Sequence, residues 1–204
     1  MTKVTVVDGD ITQIKSDGLV TAINSGGLWF GGVDSAIQRV SGKMFHKQAS
    51  EAMPLRDGQV VFAPAKLLHN GRFDSVIFVV DDLEQPVGSL VRAALEEADA
   101  QLLATISIPS LRTGVMAGMR ETRAEALEGL AIAVSEFVNT KPRHVEQITV
   151  VVHENEGDRT LLERLFLKSE LLASVESGRL PSEFTIQLPP FPSKNLGLKG
   201  KRSE

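Results

Sequence analysis

The sequence contains no cysteine and no tyrosine among its 204 residues. The absence of cysteine excludes disulfide bonds, thiolate ligation of zinc or iron–sulfur clusters, and a cysteine nucleophile. The absence of tyrosine removes a phenolic acid or base from any catalytic scheme. A net charge of −4 argues against the binding of nucleic acid through a general basic field. The length is typical of one domain, or of one domain with an appendage.

Long apolar segments are missing as well. No apolar run approaches the roughly 18 to 20 residues that span a bilayer, and the N-terminus lacks the features of a signal peptide. We therefore expect a cytoplasmic protein that does not associate with membranes. The four histidines show no metal-ligand spacing with carboxylates, so no metal site is expected. The acidic segment at residues 81–84 resembles a divalent-cation site in its charge, but we interpret it as a solvated turn before Pro86.

Short apolar segments rich in β-branched residues alternate with segments of helical periodicity. Several of the short segments are apolar at successive positions, which is typical of strands covered on both faces. The alternation predicts an α/β domain with a largely parallel sheet and helices on both of its faces. The strands are predicted at 4–7, 18–23, 60–63, 76–80, 106–108 and 148–152, and the helices at 33–40, 43–52, 89–104, 122–138 and 158–175.

Helix capping and the position of proline indicate where the folded part of the chain ends. Thr122 is followed three residues later by Glu125, which predicts a capping box, and Asp158 is a candidate cap of the last helix. Residues 1–177 are therefore predicted to form the domain, and the proline-containing residues 178–204 an extended tail. We interpret the tail as partly disordered. The alternative is an arm that packs on its own domain or on a neighbouring subunit of a homo-oligomer.

Four of the 17 glycines, Gly26, Gly27, Gly31 and Gly32, fall within seven residues, between a predicted strand and a predicted helix. Ligands of open α/β sheets bind beyond the carboxyl ends of the strands. A glycine-rich turn at a helix N-terminus offers backbone N–H groups and a favourable dipole to an anion. Residues 110–118 form a second loop of this kind, and together the two loops can clamp a diphosphate. The alternative is that both loops merely connect strands with helices.

Five motifs in the right order resemble those of the macro domain family, which is an ADP-ribose-binding module. Residues 9–12 resemble its Gly-Asp-Ile-Thr opening, and residues 21–24 its Asn-Ala-Ala-Asn strand end. Residues 30–34 resemble its first glycine-rich loop and residues 108–115 its second loop, and the final strand also falls in order. The resemblance covers approximately residues 3–170. It implies a three-layer α/β/α fold with a mixed, mostly parallel sheet.

The resemblance also implies a partner, namely ADP-ribose or an ADP-ribosylated protein, and it requires no cofactor. Asp10 would bind the adenine amino group, since a carboxylate accepts from an N–H₂ donor; the alternative is a turn aspartate. His153 falls where the family often stacks an aromatic ring on adenine; the alternative is a solvated histidine at a strand end. The implied ligand-binding residues are Asp10, Ile11, Gly31, Gly32, Val33, Arg112, Thr113, Gly114, Val115, Met116 and His153.

Asn24 and Asp34 lie ten residues apart (34 − 24). This spacing resembles that of the hydrolase-type branch of the family, which removes ADP-ribose from acidic side chains. The resemblance implies that both are catalytic: Asn24 fixes the hydroxyls of the distal ribose and Asp34 orients or deprotonates a water molecule. The structural alternatives are a loop-entry amide bonded to its own backbone for Asn24 and a helix-dipole contact for Asp34. A non-catalytic reader of ADP-ribose, or a degenerate interaction module, is therefore the alternative function.

Five residues depart from the family pattern. Thr21 replaces the first asparagine of the strand-end motif, and Met116 stands where an aromatic ring usually covers the distal ribose. Arg112 replaces a small polar residue, and we expect it either to pair with the diphosphate or to lie along the surface. Trp29 and Phe30 stand where glycine is usual. They can either stack on the ribose or fill its pocket and leave a module for a shorter ligand.

Overall fold

The computed structural model describes residues 2–27 and 31–176, with side chains described as far as Ser169. Trp29, Phe30 and the predicted tail at 178–204 lie outside the described residues. A short 3₁₀ helix spans Ile11–Gln13. The strands are β1 (Lys3–Asp8), β2 (Ser16–Ile23), β3 (Val60–Pro64), β4 (Phe73–Val80), β5 (Thr105–Pro109) and β6 (Gln147–Val152), and the helices are α1 (Val33–Ser41), α2 (Met44–Glu51), α3 (Val87–Ala100), α4 (Arg123–Asn139) and α5 (Glu156–Glu176).

The strands form one sheet in the order β1-β6-β5-β2-β4-β3. Every neighbouring pair is parallel except β3 and β4, which are antiparallel. Each predicted strand lies within an observed one, and the predicted mixed, mostly parallel sheet is confirmed. Because the parallel strands run in the same direction, their carboxyl ends meet at one edge. At that edge Ile23 pairs with Val80, and Val151 pairs with Pro109.

Helices cover both faces of the sheet, because successive strand residues point to opposite sides. Val20 and Ile77 pack into a buried cluster with residues of α3, α4 and α5. Their neighbours Leu19 and Phe78 pack into a second cluster with residues of α1 and α2. The fold therefore has the three α/β/α layers that the sequence predicted. Among the described residues, no helix is both long and apolar enough to cross a bilayer.

The starts of the last two helices differ in how well the sequence predicted them. Thr122 and Glu125 form the predicted capping box at the start of α4. The prediction that Asp158 caps α5 is wrong. The side chain of Asn155 accepts from the Asp158 backbone N–H at 2.9 Å, so Asn155 occupies the capping position and the helix begins at Glu156. The Asp158 carboxylate instead pairs with Arg123, at 2.7 Å.

Candidate functional site

A cleft lies beyond the carboxyl ends of the parallel strands and consists of three adjoining cavities. The first cavity, of about 410 Å³, is lined by Asp10 and His153 among others. The middle cavity, of about 260 Å³, shares Gly32 and Gly114 with the first. The third cavity, of about 480 Å³, shares Asn24 with the middle one. The shared residues make the cleft continuous, with the middle cavity between the other two.

The first loop brings a helix start to this cleft. Gly31 and Gly32 have φ values of +91° and +61°, a region in which a side chain is strained. Gly32 directly precedes α1, whose N-terminus has no hydrogen bond from a side-chain cap. A Cβ placed on Gly32 would meet no atom within 4 Å, so the backbone faces open space. The first loop therefore presents backbone N–H groups and the positive end of a helix dipole to the cleft.

The second loop follows β5 and flanks the same space. The Thr113 hydroxyl donates to the Ser110 carbonyl oxygen at 2.6 Å, which closes the start of the loop into a turn. Ser110 in turn donates its backbone N–H to the carbonyl of Val151 on β6. Gly114 is exposed and has no neighbour within 4 Å of a Cβ built on it. The two loops together border the middle cavity with small residues and backbone groups.

Asp10 is an ionised acceptor at the edge of the first cavity. Its Oδ1 accepts from the Thr12 backbone N–H at 2.9 Å and from the Thr12 hydroxyl at 2.7 Å. Arg39 donates to the other carboxylate oxygen at 3.3 Å. Burial alone would raise the pKa of Asp10, but these bonds and the charges of Arg39 and His153 lower it below 3.8. The exposed His153 lines the same cavity.

Asn24 and Asp34 both line the middle cavity, as their predicted roles require. Asn24 follows β2 directly, whereas Asp34 lies in the first turn of α1 with its side chain only 6% exposed. One carboxylate oxygen, Oδ1, accepts from the Thr21 hydroxyl at 3.0 Å and lies 3.8 Å from Nε2 of His46. The Thr21 hydroxyl therefore orients the Asp34 carboxylate, and the buried His46 ring lies beside it. The sequence did not predict this contact, because three separate elements contribute to it.

Arg112 requires a correction, since its guanidinium is 1% exposed. Its Nε and Nη2 donate to the two carboxylate oxygens of Asp81, at 2.9 and 2.6 Å. Nη1 donates to Glu121 at 2.7 Å, and Nη2 also donates to the carbonyl of Gln85. Burial acts to lower the pKa of Arg112, but the two carboxylates raise it above its ordinary value. The guanidinium thus anchors the second loop to the end of β4 instead of lying along the surface, and Arg112 also lines the middle cavity.

The acidic segment after β4 is also not the solvated turn that we expected. Asp81 is buried against Arg112, because the ion pair replaces its hydration. The carboxylate of Asp82 accepts from the Ser25 backbone N–H at 2.9 Å, and its own N–H donates to Asp57 at 2.7 Å. The segment therefore connects the first loop to the loop before β3. Among the described residues, no group of three or more His, Asp or Glu side chains is arranged to hold a metal ion.

The third cavity contains residues that the sequence did not indicate. Its walls combine the apolar side chains of Leu83, Val115, Met116 and Met119 with Asn24, Asp81 and Asp82. The resemblance covered Val115 and Met116, but Leu83 and Met119 belong to no motif. The only indication of Leu83 and Met119 in the sequence was that these apolar residues stand in loops, where polar residues are usual.

Known proteins are similar to this chain in sequence and in fold. The macro domain family matches residues 20–127. The O-acetyl-ADP-ribose deacetylase of Salmonella gallinarum is 32% identical over 166 residues, which cover 76% of this chain and 89% of that protein. A macro domain-containing protein of Cupriavidus necator is 30% identical over 170 residues, or 78% and 95% of the two chains. The Oceanobacillus iheyensis macrodomain with ADP superimposes with a TM-score of 0.69 and 26% identity, over 82% of this chain and 91% of that one. The chain belongs to the macro domain family.

Proposed function

We propose that this macro domain binds ADP-ribose, or a close derivative of it, in the cleft. The observation that carries the proposal is the order of chemical groups along three connected cavities. A carboxylate acceptor lies in the first cavity, loop N–H groups border the middle one, and a side-chain amide stands where the middle cavity opens into the third. This order matches the adenine, the diphosphate and the distal ribose of the ligand. The related macrodomain described with ADP supports the same ligand class.

The adenine end depends on Asp10, whose lowered pKa keeps it ionised at neutral pH. An ionised carboxylate only accepts hydrogen bonds, so it favours the adenine amino group over a carbonyl at the same position. The diphosphate lies against the N–H groups of Gly31, Gly32, Thr113 and Gly114. These N–H groups donate hydrogen bonds to the phosphate oxygens, and the first loop adds the positive end of a helix dipole. An acidic protein can therefore bind a dianion without a lysine cluster.

We further propose that the site hydrolyses an ester between the distal ribose and a carboxylic acid, as in an ADP-ribosylated acidic side chain. Asn24 holds a ribose hydroxyl, and Asp34 orients a water molecule and accepts its proton as the water adds to the ester carbonyl. The bond between the acyl carbon and the ribose oxygen then breaks, and the proton passes to that oxygen. The products are ADP-ribose and the free acid. The name of the Salmonella relative, an O-acetyl-ADP-ribose deacetylase, supports ester chemistry.

A second candidate function is a reader that binds ADP-ribose without turnover. The observation that favours it is the confinement of Asp34, which is almost fully buried and has one oxygen engaged by Thr21. A carboxylate in this position stabilises the first turn of α1 even without a catalytic role.

The two candidates are separated by Asp34→Asn, which preserves the shape of the side chain and removes its basicity. For a hydrolase, we expect release of ADP-ribose from a glutamate-linked peptide to fall at least about 100-fold, the usual effect of losing a general base. The Kd of ADP-ribose, measured by calorimetry, should change less than about threefold. Asn24→Ala should weaken ribose binding and turnover together. Equal release by the wild type and Asp34→Asn would remove Asp34 from the mechanism.

Two further outcomes of this experiment are decisive. Binding of ADP-ribose by the wild type without any release would identify the reader. The absence of heat at millimolar ADP-ribose would contradict both functions.

A further inference from the structure

We propose that the third cavity binds the acyl group of the ester and that it selects an uncharged aliphatic chain longer than acetyl. The inference rests on the proposed function, since it extends the same ligand past the distal ribose. It concerns the third cavity, which lies beyond the distal ribose and which no group of ADP-ribose itself would fill. The residues that carry it are Leu83, Val115, Met116, Met119, Asp81 and Asp82.

Continuity of the cleft determines what reaches this cavity. Asn24, Asp81, Val115 and Met116 line both the middle and the third cavity. A substituent on a ribose held by Asn24 therefore enters the third cavity directly. The volume of about 480 Å³ exceeds that of the middle cavity and is far larger than an acetyl group requires.

The walls of the cavity favour an aliphatic occupant. Val115 is 75% exposed and Met119 is 61% exposed, and both stand beside Leu83 and the half-buried Met116. Apolar side chains that gather at a concave surface indicate a ligand that covers them. Methionine adapts its flexible thioether chain to occupants of different shape. An acyl chain that extends across these residues would remove them from water.

The charges at the cavity disfavour an acidic occupant. Its charged lining residues are Asp81 and Asp82, and no cationic side chain lines it among the described residues. Arg112 neutralises Asp81 from the buried side, and Arg120 donates to the Leu83 carbonyl without lining the cavity. Asp82 accepts one backbone N–H from Ser25 and has no cationic partner among the described ion pairs. A second carboxylate on the acyl chain would therefore meet a like charge.

The test compares the Kd values of ADP-ribose and of its acetyl, butyryl and succinyl ribose esters, measured by calorimetry on the full-length Asp34→Asn variant. Each methylene removed from water strengthens binding about fourfold, so the two extra methylenes of the butyryl ester should make it bind roughly 15-fold more tightly than the acetyl ester. The succinyl ester, which carries a carboxylate at the end of a chain of similar length, should bind at least about tenfold more weakly than the butyryl ester. Ratios of kcat/KM for the wild type provide the same comparison without the substitution.

Met119→Asn, added to this background, should reduce the butyryl preference to less than about threefold. Leu68→Asn, at a fully exposed leucine that lines none of the three cavities, is the matched control and should leave the preference unchanged. Melting temperatures establish that both variants fold. Equal affinities for the acetyl and butyryl esters, or a succinyl ester that binds as tightly as the butyryl ester, would overturn the inference while ADP-ribose still binds. Failure of ADP-ribose itself to bind would instead contradict the proposed function.

Discussion

At the scale of single residues, three aspartates near the cleft differ in what stabilises them, and their tasks differ accordingly. Asp10 receives hydrogen bonds from Thr12 and remains partly exposed, so it can accept from a ligand. Asp34 is buried between the Thr21 hydroxyl and the His46 ring, which confine its carboxylate beside the middle cavity. Asp81 is neutralised by Arg112 and joins the end of β4 to the second loop. The resemblance implied ligand roles for Asp10 and Asp34, whereas only the ion pair with Arg112 identified the role of Asp81.

Asp10→Asn tests the adenine contact. The amide keeps an acceptor oxygen but loses the charge, so we expect the Kd of ADP-ribose to rise about tenfold, in line with hydrogen bonds that involve a charged group. Calorimetry gives the Kd, and a melting curve separates lost binding from lost stability, since Asp10 also caps the 3₁₀ helix. Asp74→Asn, at an exposed position near the start of β4, is the control. An unchanged Kd for Asp10→Asn would place the adenine elsewhere.

At the scale of elements, the alternation of short apolar segments with segments of helical periodicity predicted the six strands and five α-helices, but not the 3₁₀ helix at Ile11–Gln13. Boundaries that depend on tertiary contacts were predicted less well. Helix α3 was predicted to extend to residue 104, but it ends at Ala100. Leu102 adopts a φ of +61°, and the Leu103 N–H donates to the Ala98 carbonyl, which turns the chain toward β5. Neither residue is the glycine that usually marks such an end.

The contact between the second loop and the end of β4 depends on Arg112 and Asp81, which are 31 residues apart. Asp81→Asn leaves a buried guanidinium short of a partner, so we expect the free energy of unfolding to fall by about 3 kcal/mol. Urea unfolding measures this difference. The double variant Asp81→Asn/Arg112→Met also removes the buried guanidinium that Asp81→Asn leaves short of a partner, and part of the loss should be recovered. A double variant as unstable as the sum of the two single variants would contradict this account.

Helix α3 is joined to the loop before β6 through Asp99. Its carboxylate accepts from the backbone N–H groups of Arg143, His144 and Val145 at 2.7–3.3 Å. Burial acts to raise the pKa of Asp99, but the three N–H donors and His144 lower it below 3.8. Because the folded pKa is the lower one, the stabilisation is complete above the unfolded value and disappears as the pH falls through the folded value.

Asp99→Asn should therefore destabilise the protein by about 1 kcal/mol at pH 7, which is typical of lost hydrogen bonds at a partly exposed site. The difference from the wild type should shrink progressively between pH 5 and pH 2. Urea unfolding across this range measures it, and Glu96→Gln, at an exposed position on the same helix, is the control. A difference that is independent of pH would show that the Asp99 charge has no part in the contact.

At the scale of the whole molecule, the sheet brings distant segments to one edge. The strand–helix pattern predicted that the loops after β2 and β5 flank one ligand, and the resemblance added the residues after β1 and β6 and their order along the ligand. The pattern did not predict the surroundings of Asp34, because Thr21 and His46 come from β2 and α2 and show no signal in isolation. Nor did it predict the third cavity, which forms only when the segment after β4 approaches the second loop.

Among the described residues, the two buried clusters that hold the three layers together draw on positions 4 to 166. If the proline-containing tail is partly disordered, as its sequence predicts, deletion of residues 178–204 should change the melting temperature by less than about 2 °C. Differential scanning calorimetry provides this measurement, and a larger drop would show that the tail packs on the domain.

Light scattering on the full-length protein and the deletion variant tests whether the tail joins the subunits of an oligomer. A tail that acts as an arm between subunits requires a lower mass after deletion, whereas a disordered tail leaves the number of subunits unchanged.

The central claim, that ADP-ribose binds at the carboxyl edge from the first cavity to the opening of the third, is tested most directly by a ¹⁵N–¹H NMR titration of the protein with ADP-ribose. We predict saturable shifts of the backbone amides of Asp10, Gly32, Thr113 and Gly114, which border the first and middle cavities. The amide of Gly71, just before the amino end of β4, should not shift. No shifts at millimolar ADP-ribose, or the largest shifts at the amino edge of the sheet, would contradict the claim.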